Sequence, residues 1–291
     1  MAKIIDGRKI ASETNESVKR DIEKLSSKAG TSPKLASLTL GNPEDAEIYV
    51  NMQKRTAEKV GITFEDIRLE DNLSQEELIW EIEKLNKDTS VTAIIVQKPL
   101  PESIDHNIII AVIDPKKDAE GLHPYNLGKI LRQEAELVAC TPGAVMKILN
   151  TEKVDLYGKE VVIIGGSAVV GKPLSLMMLN EMATTTVCNI ATSEKGYLEE
   201  HVGRADVLVV AVGCPEMIKG EWVSEGTIVI DVGINMIENK VVGDVAFSEV
   251  EKKAAVITPV PGGVGPITVS ILMRNVYRAY KTQHLGSGDR G

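Results

Sequence analysis

The sequence is poor in the residues that mark several common protein classes. It has only three cysteines, Cys140, Cys188 and Cys214, widely separated and with no C-x-x-C pair. An odd, scattered set argues against a disulfide framework and a structural zinc site, and it suits a reducing cytosol, so a cytoplasmic location is expected. The four histidines lie apart from the cysteines and add no metal-ligand spacing, so no metal is expected. Two Phe and two Trp leave few platforms on which bases could stack. The net charge is −9, with acidic and basic residues interleaved, so nucleic acid is a poor default partner. Apolar runs are short: residues 108–113 and 207–212 fall far below the roughly 20 residues that span a bilayer. At the start of the chain, Asp6, Arg8 and Lys9 interrupt any leader-like apolar stretch, so neither a secretory nor a membrane protein is expected.

What is present has the composition of a soluble globular protein, with 43% hydrophobic and 26% charged residues. A chain of 291 residues suggests two domains at roughly 150 residues each. Most of it reads as strands alternating with amphipathic helices. Residues 34–40 form a short apolar strand ended by Gly41-Asn42-Pro43, and the following segment carries Ile48, Met52, Ala57 and Val60 at helical spacing up to Gly61. Residues 75–85 repeat Leu78, Ile82 and Leu85 as a helix does, and 91–96 is a β-branched run stopped by the prolines of Gln97-Lys98-Pro99-Leu100-Pro101. Strand, helix and strand at this spacing predict parallel pairing.

A second series begins near Thr141. Residues 161–164 run into Gly165-Gly166-Ser167 and a helix over 174–179, followed by buried strands at 185–188, 207–212 and 228–232. A helix over 268–280 closes the series, and residues 286–291 have no apolar anchor, which predicts a disordered tail. The fold class is therefore α/β, two domains with mostly parallel sheets, and the boundary falls near 121–145.

The turn Gly165-Gly166-Ser167-Ala168-Val169-Val170-Gly171 follows its strand directly. Glycines opening a helix let backbone N–H groups approach a pyrophosphate, whose charge the helix dipole favours. The spacing G-x-S-x-x-x-G departs from the dinucleotide fingerprint G-x-G-x-x-G, so a tight turn without ligand is an equal alternative on this motif alone. Gly213 and Gly233 also sit just past buried strands. Ligands of open parallel sheets bind at that end, and the three turns together favour a dinucleotide.

At this point the sequence resembles the methylenetetrahydrofolate dehydrogenase/cyclohydrolase family, over nearly the whole chain. The matching stretches include Tyr49-Val50, Val96-Gln97-Lys98-Pro99-Leu100-Pro101, Lys117-Asp118-Ala119-Glu120-Gly121-Leu122 and Cys140-Thr141-Pro142. The Gly165 turn, Asp231-Val232-Gly233-Ile234-Asn235, Val242-Gly243-Asp244-Val245 and the long Thr258-Pro259-Val260-Pro261-Gly262-Gly263-Val264-Gly265-Pro266 follow in order. The resemblance implies a cytosolic homodimer that passes a hydride from 5,10-methylenetetrahydrofolate to a nicotinamide and, in many members, hydrolyses the resulting methenyl cation. It implies an N-terminal α/β substrate domain over 1–140, joined by a returning helix over 266–285. A C-terminal Rossmann-like parallel-sheet domain over 141–265 would follow, with a cleft between the two.

The resemblance also implies roles for single residues. Tyr49 would stack on the folate ring system, Gln97 would orient the folate, and Glu120, where the family usually has aspartate, would accept from the amino-pyrimidine edge. Pro261, Gly262 and Gly265 would belong to a loop over the substrate. Gly165, Gly166, Ser167, Thr192, Gly213 and Ile234 would line the cofactor. Tyr49 and Gln53 are four apart on one predicted helix and share a face. Gln53 stands where members with both activities normally carry lysine, and glutamine takes up no proton at neutral pH. Hydride transfer needs orientation more than a titrating base, so dehydrogenase activity is expected to persist and cyclohydrolase activity to weaken. Lys98 replaces the usual leucine and is a candidate substrate contact, as a surrogate base or a partner for the glutamate tail. NADP leads as cofactor from the family pattern. NAD is the alternative, because arginine is missing at Gly166 and a basic pair at Asn189-Ile190. A competing class is a non-catalytic folate- or nucleotide-binding protein.

Overall fold

The computed structural model describes residues 1–41, 44–238 and 240–285. In chain order its strands are β1 (Lys3–Ile4), β2 (Lys34–Leu40), β3 (Thr63–Leu69), β4 (Ala93–Val96), β5 (Glu160–Ile164), β6 (Thr184–Cys188), β7 (Val207–Val210), β8 (Ile228–Asp231), β9 (Asn235–Ile237), β10 (Lys240–Val242) and β11 (Val256–Ile257). The helices are α1 (Gly7–Ala29), α2 (Glu44–Val60), α3 (Gln75–Lys87), α4 (His106–Val112), α5 (Pro124–Leu131), α6 (Cys140–Thr151), α7 (Gly171–Asn180), α8 (Ile190–Glu194), α9 (Leu198–Gly203), α10 (Phe247–Val250) and α11 (Val264–Leu285). The fold is α/β with two compact units, one of residues 1–11 and 139–268, the other of residues 12–138 and, at the end of the described chain, 269–285. The division falls inside α1 and α11. Among the described residues no helix is long and apolar enough to cross a membrane.

In the unit of residues 12–138, β2 lies between β3 and β4, and both pairings are parallel. One face of β2 and β4, carrying Ala36, Leu38, Leu40, Ile94 and Val96, is closed by Leu78 and Ile82 of α3 and Ile109 of α4. The chain starts α3 with a capping box, in which Ser74 and Glu77 each accept from the other's backbone N–H. Residues 117–119 cover the outer edge of β4: the Ile94 N–H donates to the Lys117 carbonyl at 2.7 Å, and the Ala119 N–H to the Ile94 carbonyl at 3.2 Å. An edge so covered offers no template to another chain. The later turns of α11 also belong to this unit. There the buried Asn275 donates through Nδ2 to the carbonyls of Ala119 and Val138, and the Tyr280 hydroxyl donates to the Thr31 carbonyl.

In the unit of residues 139–268 the sheet order is β1-β11-β8-β7-β5-β6, parallel at every pairing. Its central strands β5, β7 and β8 are nearly all Val and Ile, which is what burial on both faces requires. The outer strand β6 reads Thr-Thr-Thr-Val-Cys and is half exposed. From the sequence alone, residues 1–11 are expected with the first domain. The structure places them with the other unit, because Lys3 and Ile4 pair with Val256 and Ile257 at the end of that sheet. The final helix begins at Val264 rather than near 268. The turn at Asn42-Pro43 and the tail at 286–291 lie outside the described residues.

Candidate active site

A polar strip crosses the second face of the three-stranded sheet. Strand residues alternate sides, so Leu35, Ser37 and Thr39 of β2 face away from the α3–α4 core. The register pairs Ser37 with Ile95 and Leu38 with Val96, and the Gln97 N–H extends the ladder to the Leu38 carbonyl at 2.8 Å. Gln97 therefore emerges beside Thr39 and on its side. Its Nε2 donates to Ser37 Oγ at 3.0 Å and to Gln53 Oε1 at 2.8 Å, while Gln53 Nε2 donates back to Gln97 Oε1 at 3.3 Å. The two amides form a reciprocal pair, and Ser37, Thr39, Gln53 and Gln97 are all buried. Tyr49 stands one turn before Gln53 on α2 and is half-buried.

Charge collects at the carboxyl end of β4. Asp118 bridges to Ile94, so Glu120, two residues on, lies level with the exit of Gln97 and Lys98. Burial pushes the half-buried Glu120 carboxyl up to about 7, with Asp118 raising it further and Lys98 drawing it down. Lys98 itself is exposed. Burial, reinforced by Lys98, lowers His106 at the start of α4 to about 4, so its ring is neutral at physiological pH.

Neighbours of Glu120 in the sequence have structural duties. Asp118 accepts from the backbone N–H groups of Gly121 and His123 and from Asn126 Nδ2, all within 2.9 Å. Lys117 Nζ donates to the carbonyls of Leu85, Asn86 and Asp88 at 2.7–2.9 Å, closing the C-terminal end of α3.

The glycine turn of the other unit is shaped by close backbone approach. Gly165 has φ +117, and a Cβ there would strike the Ala211 carbonyl; one on Gly171 would strike the Gly165 carbonyl. Ser167 is exposed, and its Oγ accepts from the Val170 N–H at 3.1 Å. Helix α7 opens here with no side-chain cap, leaving its N-terminal dipole directed at the turn. This cradle fits a dinucleotide's pyrophosphate. No Asp or Glu ends β6, where an acid would clamp a bare ribose.

Three of the expected cofactor and substrate residues are arranged differently from their sequence reading. The Gly213 N–H is already used: Asp244 accepts from the N–H groups of Val212, Gly213 and Cys214 and from Asn235 Nδ2. The backbone there is bound to a buried carboxylate of the chain itself, and only open space above Gly213 is left to a ligand. Thr192 Oγ1 accepts from the Asn189 N–H in the capping box of α8. Gly265 lies in the first turn of α11 and not in a loop. The close approaches in that segment are made by Gly7 and Gly263, whose Cβ atoms would meet the Gly263 and Pro259 carbonyls, and Gly262 takes φ +104. Ile234 is mostly exposed and Gly166 half-buried.

Comparison with known families bears on both units. Residues 5–120 match the model described as tetrahydrofolate dehydrogenase/cyclohydrolase, catalytic domain, and residues 139–284 match that of the same enzyme's NAD(P)-binding domain. The chain belongs to the tetrahydrofolate dehydrogenase/cyclohydrolase family. It is 44% identical over 283 residues to the bifunctional protein FolD of Acetivibrio thermocellus, covering 97% of this chain and 98% of that one. Among solved members of the family, the FolD methylenetetrahydrofolate dehydrogenase/cyclohydrolase of Campylobacter jejuni superposes with a TM-score of 0.92 at 40% identity, covering 97% and 99% of the two chains. The Trypanosoma brucei enzyme, solved with NADP cofactor and an inhibitor, gives 0.91 at 36% identity, covering 96% and 97%.

Sequence reasoning names Gln53 and Gln97 separately, the structure joins them as a pair, and Ser37 and Thr39 are missed. The signal was available: two hydroxyls two apart in the otherwise apolar strand Lys-Leu-Ala-Ser-Leu-Thr-Leu share one face.

Proposed function

We propose that this chain is a nicotinamide-dependent 5,10-methylenetetrahydrofolate dehydrogenase whose cyclohydrolase step is weak. Family membership over both units supports the folate substrate and the nicotinamide. The observation that carries the imbalance between the two steps is the buried Gln53–Gln97 amide pair. Attack of water on the methenyl carbon releases a proton that needs an acceptor, and an amide offers none at neutral pH. Removal of hydride from the methylene carbon is driven by the folate nitrogen lone pair and asks the protein for orientation.

In this reading Tyr49 stacks on the folate ring, and Gln97 and Gln53 align the methylene bridge. The Glu120 carboxylate accepts from the amino-pyrimidine edge, a charge-assisted contact. Lys98 contributes a cation at the same end of β4, toward the glutamate tail. The family resemblance assigns Pro261, Gly262 and Gly265 to substrate binding. The bound nicotinamide supplies the hydride acceptor. Gly165, Gly166 and Ser167 hold the pyrophosphate, with Thr192, Gly213 and Ile234 around the remainder of the nucleotide. NADP is favoured: the Trypanosoma brucei relative carries it. This chain also lacks the acidic clamp that a 2′-phosphate would meet unfavourably. A cytoplasmic homodimer completes the proposal.

The experiment is an initial-rate comparison of NADP and NAD reduction driven by methylenetetrahydrofolate. Folate-dependent reduction faster with NADP is expected. Reduction of neither cofactor would leave a non-catalytic binding protein as the better reading.

A further inference from the structure

Gln97 has a limited inventory of hydrogen-bonding positions. Its two amide protons go to Ser37 Oγ and Gln53 Oε1, and one lone pair of Oε1 receives Gln53 Nε2. A single acceptor position on Oε1 is left for anything else. The pair of amides does not decide by itself which end of Gln97 points where. Turning both end for end gives an equally reciprocal pair. The reciprocal pair also leaves its own place open, and the Ser37 hydroxyl, which accepts from Gln97 Nε2 at 3.0 Å, anchors it to β2.

Ser37 is otherwise hard to explain. It is fully buried in a strand whose neighbours Leu35, Ala36, Leu38 and Leu40 are apolar and equally buried. A hydroxyl in such a place is disfavoured unless it is hydrogen-bonded, and an alanine would fit without that penalty. Thr39 repeats the feature on the same face, with a buried Oγ1 that has no protein partner among the described residues. Position 53 matches this arrangement. An ammonium there could donate to Gln97 Oε1 but could not accept from Gln97 Nε2, so one buried proton would go unpaired.

We propose that Ser37 is a positioning residue of the folate site: its hydroxyl anchors the Gln97–Gln53 amide pair to β2 and so fixes where Gln97 meets the substrate. The assignment rests on the dehydrogenase reading above. Ser37, Gln97 and Gln53 act as one unit through hydrogen bonds that span two strands and a helix.

The test compares Ser37→Ala with Ser37→Thr in the full chain. Loss of one orienting hydrogen bond predicts an Ala variant about tenfold lower in kcat, while the nicotinamide KM stays the same. Ser37→Thr keeps the hydroxyl and recovers most of that loss. The double variant with Gln97→Ala is expected to be no slower than Gln97→Ala alone, because the two changes break one unit. Full kcat in Ser37→Ala, or losses that multiply in the double variant, would overturn the proposal. The side-chain amide resonance of Gln97 provides a readout independent of turnover. It is expected to shift and exchange faster in Ser37→Ala but not in Ser37→Thr, and an unmoved resonance counts against the proposal even if the wild-type chain proves inactive. Wild-type inactivity with a shifted resonance would instead remove the dehydrogenase reading and leave the anchoring of the amide pair standing.

Discussion

Glu120 carries two consequences of one burial. Its carboxyl ionises near 4.5 in an unfolded chain and at about 7 in the folded protein. Between those values the folded state holds a proton that the unfolded state has released, so stability declines as pH rises through the window. Asp231, raised to about 7 by burial despite accepting three backbone N–H bonds, acts in the same sense. Glu120→Gln removes the first contribution alone. The variant should melt higher than wild type at pH 8, and the difference should vanish toward pH 5; a difference independent of pH would contradict the assignment. Folate affinity should move oppositely, improving in wild type as pH passes 7 because only the carboxylate accepts two N–H donors. At this scale the sequence displayed the unusual residues, Gln53, Lys98 and Glu120, but not their surroundings. Thr192 is engaged locally by the Asn189 N–H of its own capping box, whereas the Gly213 N–H is taken by Asp244, a partner distant in sequence.

Among the elements, those with an uninterrupted apolar pattern were legible: β2, α3, β5, β7 and β8 lie within a few residues of their expected positions. β3 was not, since Thr63–Leu69 mixes Phe64, Ile67 and Leu69 with Glu65, Asp66 and Arg68. An edge strand with one solvated face tolerates that composition, and its pairing with β2 is a tertiary fact. The same holds for residues 117–119, which read as a motif flanking Glu120 and act as the cover of β4. Lys117 ties this cover to the end of α3 through three carbonyls. Lys117→Met keeps much of the aliphatic stem and loses the ammonium, leaving those carbonyls without it. A loss of about 1.5–3 kcal/mol is expected, the range for hydrogen bonds to a charged group. Urea unfolding should show a lower midpoint at unchanged slope, and an unchanged midpoint would argue that water replaces the ammonium without loss.

For the whole molecule, composition and alternation were enough for the α/β class and for two units, because both depend on patterns along the chain. The division itself was less legible. Residues 1–11 join the later unit through the β1–β11 pairing, and two strands of two residues each carry almost no periodic signal. Family membership then joins the two halves of the chemistry, a folate-handling unit and a nucleotide-handling one, in a single protein. At position 53 a neutral, hydrogen-bonded amide stands beside Gln97. The most direct test mixes enzyme, methylenetetrahydrofolate and NADP and follows reduced nicotinamide and methenyltetrahydrofolate together in one time course. Slow hydrolysis predicts that the two rise in equal amounts, with the methenyl species persisting after the nicotinamide is reduced. Reduced nicotinamide accumulating while the methenyl species stays low, in a manner abolished by Gln53→Ala, would contradict the account.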